Sequence, residues 1–389
     1  MSITAPAGFR AAGTAAGLKA SGKADVAVVV NDGPLHHSAA VFTSNRVAAA
    51  PVLWSRQVVS DGRVDAVVLN SGGANACTGA VGFQNTHATA EYAAEALSIS
   101  AGDVFICSTG LIGEQLPMDK LLPGVNDAIS QLSTAGGQGA AEAIMTTDSV
   151  PKIARHPATA DAPSEGYSIG GMAKGAGMLA PGLATMLVVL TTDAVLDPGQ
   201  LETALRAATR VTFDRTDSDG CMSTNDTVVL LASGASGVTP NDAEFTDSLT
   251  QVCHSLAQQL IRDAEGASHD IAITVVNAAS ELDAETVCRS VARSNLFKTA
   301  IFGNDPNWGR VLAAVGTTNA AFEPDQLNVS MNGVQICRNG GIGDSRDLVD
   351  LTGRDVTVQI DLSAGTETAT IWTNDLTHEY VHENSAYSS

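Results

Sequence analysis

The stretch Gly170-Gly-Met-Ala-Lys-Gly-Ala-Gly-Met-Leu-Ala-Pro-Gly-Leu-Ala-Thr-Met-Leu187 decides the reading of the chain. It is a glycine-rich loop with a single lysine, Lys174, and it delivers Thr185 to the start of an apolar strand, Met186–Leu190. Glycine admits backbone angles that a Cβ forbids, so such a run suits tight turns and close approach to a ligand. Its spacing argues against phosphate binding. The P-loop needs GxxxxGK followed by Ser or Thr, whereas Lys174 stands between Ala173 and Gly175. A dinucleotide fingerprint opens a helix, and this run opens a strand.

Outward from Thr185, short β-branched runs bounded by turn residues read as buried strands: Val26–Val30, Ala66–Leu69, Val104–Cys107, Thr227–Leu231 and Ile271–Val276. Three- and four-residue apolar spacing predicts helices over Thr86–Leu97 (opening after Asn85), Gly199–Arg210, Asp247–Ala264 and Asp283–Ser294. Leu327–Met331, Val356–Leu362 and Thr368–Trp372 read as further strands, and Arg155–Gly166 as a loop. Strands mixed with helices, without strict alternation, point to stacked sheets flanked by helices.

A length of 389 residues suggests two lobes, and 44% hydrophobic residues can fill both cores. Only 4% are aromatic, so those cores must be built mainly from Ala, Val, Leu and Ile. A net charge of −21 argues against nucleic acid and anionic membrane as partners. No apolar run approaches the roughly 20 residues that span a bilayer. The N-terminus shows no basic segment followed by an apolar one, so a cytoplasmic location is expected. The six scattered cysteines then read as small buried hydrophobes.

Seven segments carry a resemblance in order along the chain. They are Asn70-Ser-Gly-Gly-Ala-Asn-Ala-Cys-Thr-Gly79, Cys107-Ser-Thr-Gly-Leu-Ile-Gly113, Ile144-Met-Thr-Thr-Asp148, Lys174–Leu187, Ser223-Thr-Asn-Asp226, the run from Lys298 through Asn-Asp-Pro-Asn-Trp-Gly to Arg310, and Glu383-Asn-Ser-Ala-Tyr-Ser-Ser389. Together they resemble the ornithine acetyltransferase family over nearly the whole chain. The resemblance implies an α/β (α+β) fold layered αββα, and autocatalytic cleavage between Ala184 and Thr185. That cut would give pieces 1–184 and 185–389, which assemble into a heterotetramer or larger oligomer.

The residue types suit that chemistry. Cleavage frees an α-amino group that titrates at about 7.7–8.0, against about 10.4 for a lysine side chain. It can therefore activate the Thr185 hydroxyl without a histidine. By resemblance, Thr185 takes the acetyl group from N-acetylornithine and passes it to glutamate. Thr109 and Gly110, at a turn after Val104–Cys107, supply the oxyanion donors. Substrate contacts carried over are Thr146 or Thr147, Lys174, Thr185, Glu265, Asn384 and Ser389, with Lys174 facing a carboxylate and Glu265 the ornithine ammonium. No cofactor or metal is implied; acetyl-CoA enters as a co-substrate only if the enzyme is bifunctional. One departure is visible: the family commonly ends its Gly-Glu-Gly-Ala-Thr motif in Lys, and this chain has Ala264-Glu-Gly-Ala-Ser-His269. If that lysine serves an ion pair, His269 makes the pairing pH-dependent.

Two rival readings stand beside this one. The first is an autoproteolytic N-terminal-threonine amidase or aminopeptidase of related fold, with water as acceptor. The second is a Ca2+ loop at Arg215–Asp226, where Asp217, Asp219 and Gly220 fall at EF-hand spacing. It fails at its first and last ligands, Arg215 and Asp226.

Overall fold

A computed structural model describes residues 3–157, 166–179 and 186–386. Ala184, Thr185 and Ser389 lie outside the described residues. The elements run β1 Phe9–Thr14, β2 Val26–Asn31, β3 His37–Phe42, α1 Ala50–Val58, β4 Ala66–Ser71, α2 Gly79–Leu97, β5 Val104–Thr109, α3 Met118–Ser130 and α4 Gly137–Ala143. Then come β6 Lys152–His156, β7 Ile169–Lys174, β8 Leu187–Thr192, α5 Pro198–Arg210, β9 Thr227–Ala232 and α6 Asp242–Arg262. The remainder comprises β10 Asp270–Ala278, α7 Glu281–Ala292, α8 Asn295–Phe302, α9 Trp308–Val315, β11 Asn328–Met331, β12 Val334–Arg338, β13 Gly341–Ile342, β14 Asp355–Asp361, β15 Glu367–Asn374 and α10 His378–Ala386.

The chain divides into two units. The described residues of the first are 3–157, 166–178, 186–214 and 221–260; those of the second are 179, 215–220 and 261–386. The first unit therefore takes strands from both sides of the Ala184–Thr185 bond: β8 pairs antiparallel with β7 and parallel with β9.

Two sheets form the first unit, β1-β2-β4-β5 and β3-β9-β8-β7-β6. Successive side chains on a strand point to opposite faces, and in β2 both sets are apolar. Ala27 and Val29 turn inward with Phe9, Val67, Leu69 and Phe105 to meet Met172, Leu187, Val189, Val229 and Leu231 of the other sheet. Val26, Val28 and Val30 turn outward with Val68 and Ile106 onto Ala90 and Ala93 of α2 and Leu121 and Val125 of α3. Strands covered on both faces read as continuous apolar runs rather than alternating ones. Beyond the second sheet, a Cβ added to Gly171 would come within 2.9 Å of both Leu190 and Leu256, so glycine there lets α6 approach β7. The unit is thus layered α-β-β-α, as the family resemblance implies. Each fully buried Val, Leu or Ile contributes roughly 1.5–3 kcal/mol to these layers.

The second unit carries the sheet β13-β12-β11-β14-β10-β15. Here the alternation is plain: Ile271, Ile273 and Val275 are buried while Ala272 and Thr274 between them are partly exposed. Its core joins these residues and Val358, Ile360 and Ile371 to Val287 and Val291 of α7, Phe297 of α8 and Val311 of α9.

Several boundaries depart from the sequence reading. Helix α2 begins at Gly79, not after Asn85. Gly79 and Gly82 hide its first turns from a propensity reading, and Asn85 instead donates to Gln115 at 3.3 Å. The apolar strand expected over Met186–Leu190 is β8, Leu187–Thr192. The glycine-rich stretch is not all loop, because Ile169–Lys174 is a wholly buried strand. Arg155 and His156, expected in a loop, end β6. Four cysteines are buried, but Cys77 and Cys221 are exposed. Among the described residues, no helix is long and apolar enough to cross a membrane.

Candidate active site

The expected oxyanion pair, Thr109 and Gly110, sits where β5 ends. Thr109 is the last residue of that strand rather than part of a turn beyond it. The amides of Gly72 and Gly73 both donate to its carbonyl, at 2.9 and 3.0 Å. The turn is braced from β4: Ser108 Oγ donates to Asn70 Oδ1 at 2.6 Å, and Asn70 Nδ2 to the Gly73 carbonyl at 3.0 Å. This gives the Asn70-Ser-Gly-Gly segment a physical purpose. Gly110 has φ +134°, and a Cβ there would stand 2.5 Å from Gly73 N, so glycine is required twice over. The Thr109 side chain is buried, and its hydroxyl makes no hydrogen bond to a described residue.

A second cluster forms around Asp148. Its Oδ1 accepts from Lys152 Nζ and from the Gly175 amide, both at 2.6 Å, and its Oδ2 accepts from the Thr146 amide at 2.9 Å. Lys174 Nζ lies 3.9 Å from Oδ2. Asp148, Lys152 and Lys174 are all buried. Burial alone would raise the Asp148 carboxyl, but the two lysines and these donors outweigh it and hold it at about 2. Asp148 thus stands between two buried lysines, Lys152 and Lys174. Lys174 ends β7 directly opposite Leu187, the second residue after Thr185 in the chain. Thr146 is therefore fixed beside Lys174 through Asp148, whereas Thr147 is exposed.

The third group belongs to the second unit. Asn384 Nδ2, on α10, donates to Glu265 Oε2 at 2.9 Å. Thr377 Oγ1 donates to the Gly266 carbonyl at 2.6 Å and accepts from the Tyr380 amide at 3.0 Å. The Ala264–His269 segment thus holds the C-terminal helix, and two residues expected to contact substrate are neighbours. His269 is buried and meets a partner at each ring nitrogen. Nδ1 lies 2.8 Å from Asp375 Oδ2 and Nε2 3.0 Å from the Leu351 carbonyl. Asp375 also accepts the amides of Ser268 and His269 and the Ser268 hydroxyl.

Arg215–Asp226 does not form a calcium loop. Asp217 accepts from Arg293 Nε at 2.8 Å, and Arg215 pairs with Glu281 and Glu285 at 2.7 and 2.9 Å. Among the described residues no group of His, Cys, Asp and Glu is arranged to hold a metal.

Asp148, which sequence reading left without a role, organises the second cluster; it ends the quoted Ile144–Asp148 motif, and its acidic side chain there was the available signal.

The model of the ArgJ family matches residues 10–389. The chain is 66% identical over its whole length to the arginine biosynthesis bifunctional protein ArgJ of Streptomyces avermitilis, which it also covers completely. It shows the same identity and coverage with the protein of that name from Thermobifida fusca. Among solved structures, it is 55% identical to an ornithine acetyltransferase from Mycobacterium tuberculosis complexed with ornithine. That match covers 48% of this chain and 96% of the other, with a TM-score of 0.43.

Proposed function

Because the chain belongs to the ArgJ family, we propose that it is an ornithine acetyltransferase of arginine biosynthesis, moving acetyl from N2-acetyl-L-ornithine to L-glutamate. Full-length similarity to curated bifunctional relatives carries this reading.

On this reading the precursor cuts itself between Ala184 and Thr185. The freed α-amino group takes the proton of the Thr185 hydroxyl as Oγ attacks the acetyl carbonyl. Thr109 Oγ1 and the Gly110 amide stabilise the oxyanion, and the proton passes to the departing amine of ornithine. Glutamate then attacks the acetyl-threonine by the same steps in reverse, a ping-pong course. Lys174 is the carboxylate contact, and the Thr146 amide on the Asp148 carboxylate beside Lys174 favours Thr146 over the exposed Thr147. Glu265 serves the ornithine ammonium, and Asn384 positions it. Ser389 joins the substrate contacts by resemblance alone. The acetyl group travels on Thr185, so no cofactor or metal is needed; acetyl-CoA is a co-substrate if the enzyme is bifunctional. The two cleavage pieces assemble as a heterotetramer in the cytoplasm.

The test follows acetyl by NMR from labelled N2-acetylornithine, with glutamate present or absent and with acetyl-CoA in parallel. Labelled N-acetylglutamate supports the reading. Release of free acetate with no transfer to glutamate would instead favour the N-terminal-threonine amidase.

A further inference from the structure

The Ser223-Thr-Asn-Asp226 segment immediately precedes β9, and its last two side chains reach in different directions. Asn225 Nδ2 donates to the Ala74 carbonyl at 2.7 Å and the Ser108 carbonyl at 2.8 Å, while its Oδ1 accepts from Thr224 Oγ1 at 2.6 Å. The Asn225 amide group thus spends one hydrogen on the backbone that carries Thr109 and the other on Ala74, next to the Gly72–Gly73 turn that holds the Thr109 carbonyl. Asp226 Oδ1 accepts from the Met186 amide at 3.0 Å. The Met186 carbonyl in turn accepts from the Thr227 amide at 3.1 Å. That Met186 nitrogen is the peptide nitrogen bonded to residue 185, so a grip on it is a grip on the backbone that follows the nucleophile.

Resting on the acyl-transfer reading above, we propose that Asn225 and Asp226 are positioning residues of that reaction. They form a clasp that sets the spacing between the oxyanion turn at Thr109–Gly110 and the strand that follows Thr185. Two adjacent residues of one rigid strand end hold the two halves of the reaction centre, so neither half can drift independently. Their own base is fixed as well: Thr43 N donates to the Asp226 carbonyl at 2.8 Å and Thr43 Oγ1 to the Ser223 carbonyl at 2.7 Å.

Asp226 Oδ2 is buried and has no hydrogen-bond partner among the described residues. Burial pushes the Asp226 carboxyl well above the usual range, against the pull of the Met186 amide and of Lys174. Only Asp226 Oδ1 holds the Met186 amide, and the side-chain carbonyl oxygen of asparagine can take its place.

The test compares wild type with Asn225→Ala, Asp226→Ala and Asp226→Asn, measuring kcat, KM for both substrates, the pH profile, and hydrogen exchange at the Met186 amide. Misplacing reacting groups by about 1 Å costs on the order of 100-fold, so kcat should fall by roughly that factor in both alanine variants while KM moves little. Asp226→Asn should restore kcat, the wild-type pH profile and slow exchange at Met186. Loss of self-cleavage in Asp226→Ala with cleavage kept in Asp226→Asn supports the clasp equally. If Asp226→Ala does not fold, Asp226→Glu replaces it: the longer side chain should slow the reaction while Asn does not. Alanine variants at the wild-type rate, or Asp226→Asn as inactive as Asp226→Ala, would overturn the proposal. A wild type that transfers no acetyl would defeat the function reading, whereas Met186 exchange would still test the clasp.

Discussion

Lys174 Nζ stands 3.9 Å from Asp148 Oδ2, inside a cluster where Lys152 Nζ holds the other oxygen at 2.6 Å. Both lysines and the carboxylate are withdrawn from water. Breaking a buried pair by removing one partner leaves an uncompensated charge, and that penalty exceeds what the pair itself contributes.

Asp148→Asn is therefore expected to lower stability by about 3–5 kcal/mol, measured by urea denaturation at pH 7. The pH dependence follows from a carboxyl held at about 2 in the folded state against a usual 3.8. A depressed folded value means that the contribution is complete above the unfolded value. The gap between wild type and variant should stay constant above about pH 5 and narrow by roughly 2.5 kcal/mol as pH falls through about 2. A gap that widened on acidification would contradict the assignment.

Lys174→Met should raise KM for the carboxylate-bearing substrates by roughly 10- to 100-fold, since a hydrogen bond to a charged group is worth about 1.5–3 kcal/mol. The change in kcat should be smaller. Steady-state kinetics with each substrate varied in turn checks this, and an unchanged KM would remove Lys174 from the carboxylate site.

Thr109→Val keeps the shape of the side chain and deletes its hydroxyl. No described residue uses that hydroxyl, so the melting temperature should not change. Loss of one oxyanion donor should lower kcat by about 100- to 1,000-fold. A variant that melts normally and turns over normally would show that the oxyanion is held elsewhere.

His269→Ala removes one of several partners of the Asp375 carboxylate and should destabilise the second unit by about 1–3 kcal/mol. His269→Lys, which returns the residue the family commonly uses, should recover much of that loss. Thermal unfolding of the two variants beside wild type distinguishes them, and equal loss in both would show that the ring geometry rather than its charge matters.

The apolar strands were legible because both faces are covered: β2, β4 and β9 are nearly unbroken Val, Leu and Ala. β7 was not, since Gly170 and Gly171 read as loop residues. The nearness of Leu190 and Leu256 shows why the strand needs Gly171. β1 and β3 are built largely from Ala, Gly and Ser, and so carry no strong β signal. Thr109, Gly110 and Lys174 came from motif resemblance, and the structure gives them supports that spacing could not reveal. Asn225 reaches Ser108 across 117 residues of sequence, and Lys174 meets Asp148 only because β6 and β7 are neighbours in one sheet. Such long-range hydrogen bonds leave no local pattern.

The central claim is that Thr185 carries the acetyl group after the chain has cut itself. Intact-mass spectrometry of the enzyme incubated with N2-acetylornithine and no glutamate tests it most directly. The account predicts two fragments meeting at Ala184 and Thr185, with one acetyl group on the second fragment, removed when glutamate is added and absent from a Thr185→Ala variant that stays whole. A single uncut chain that still transfers acetyl at full rate would contradict it.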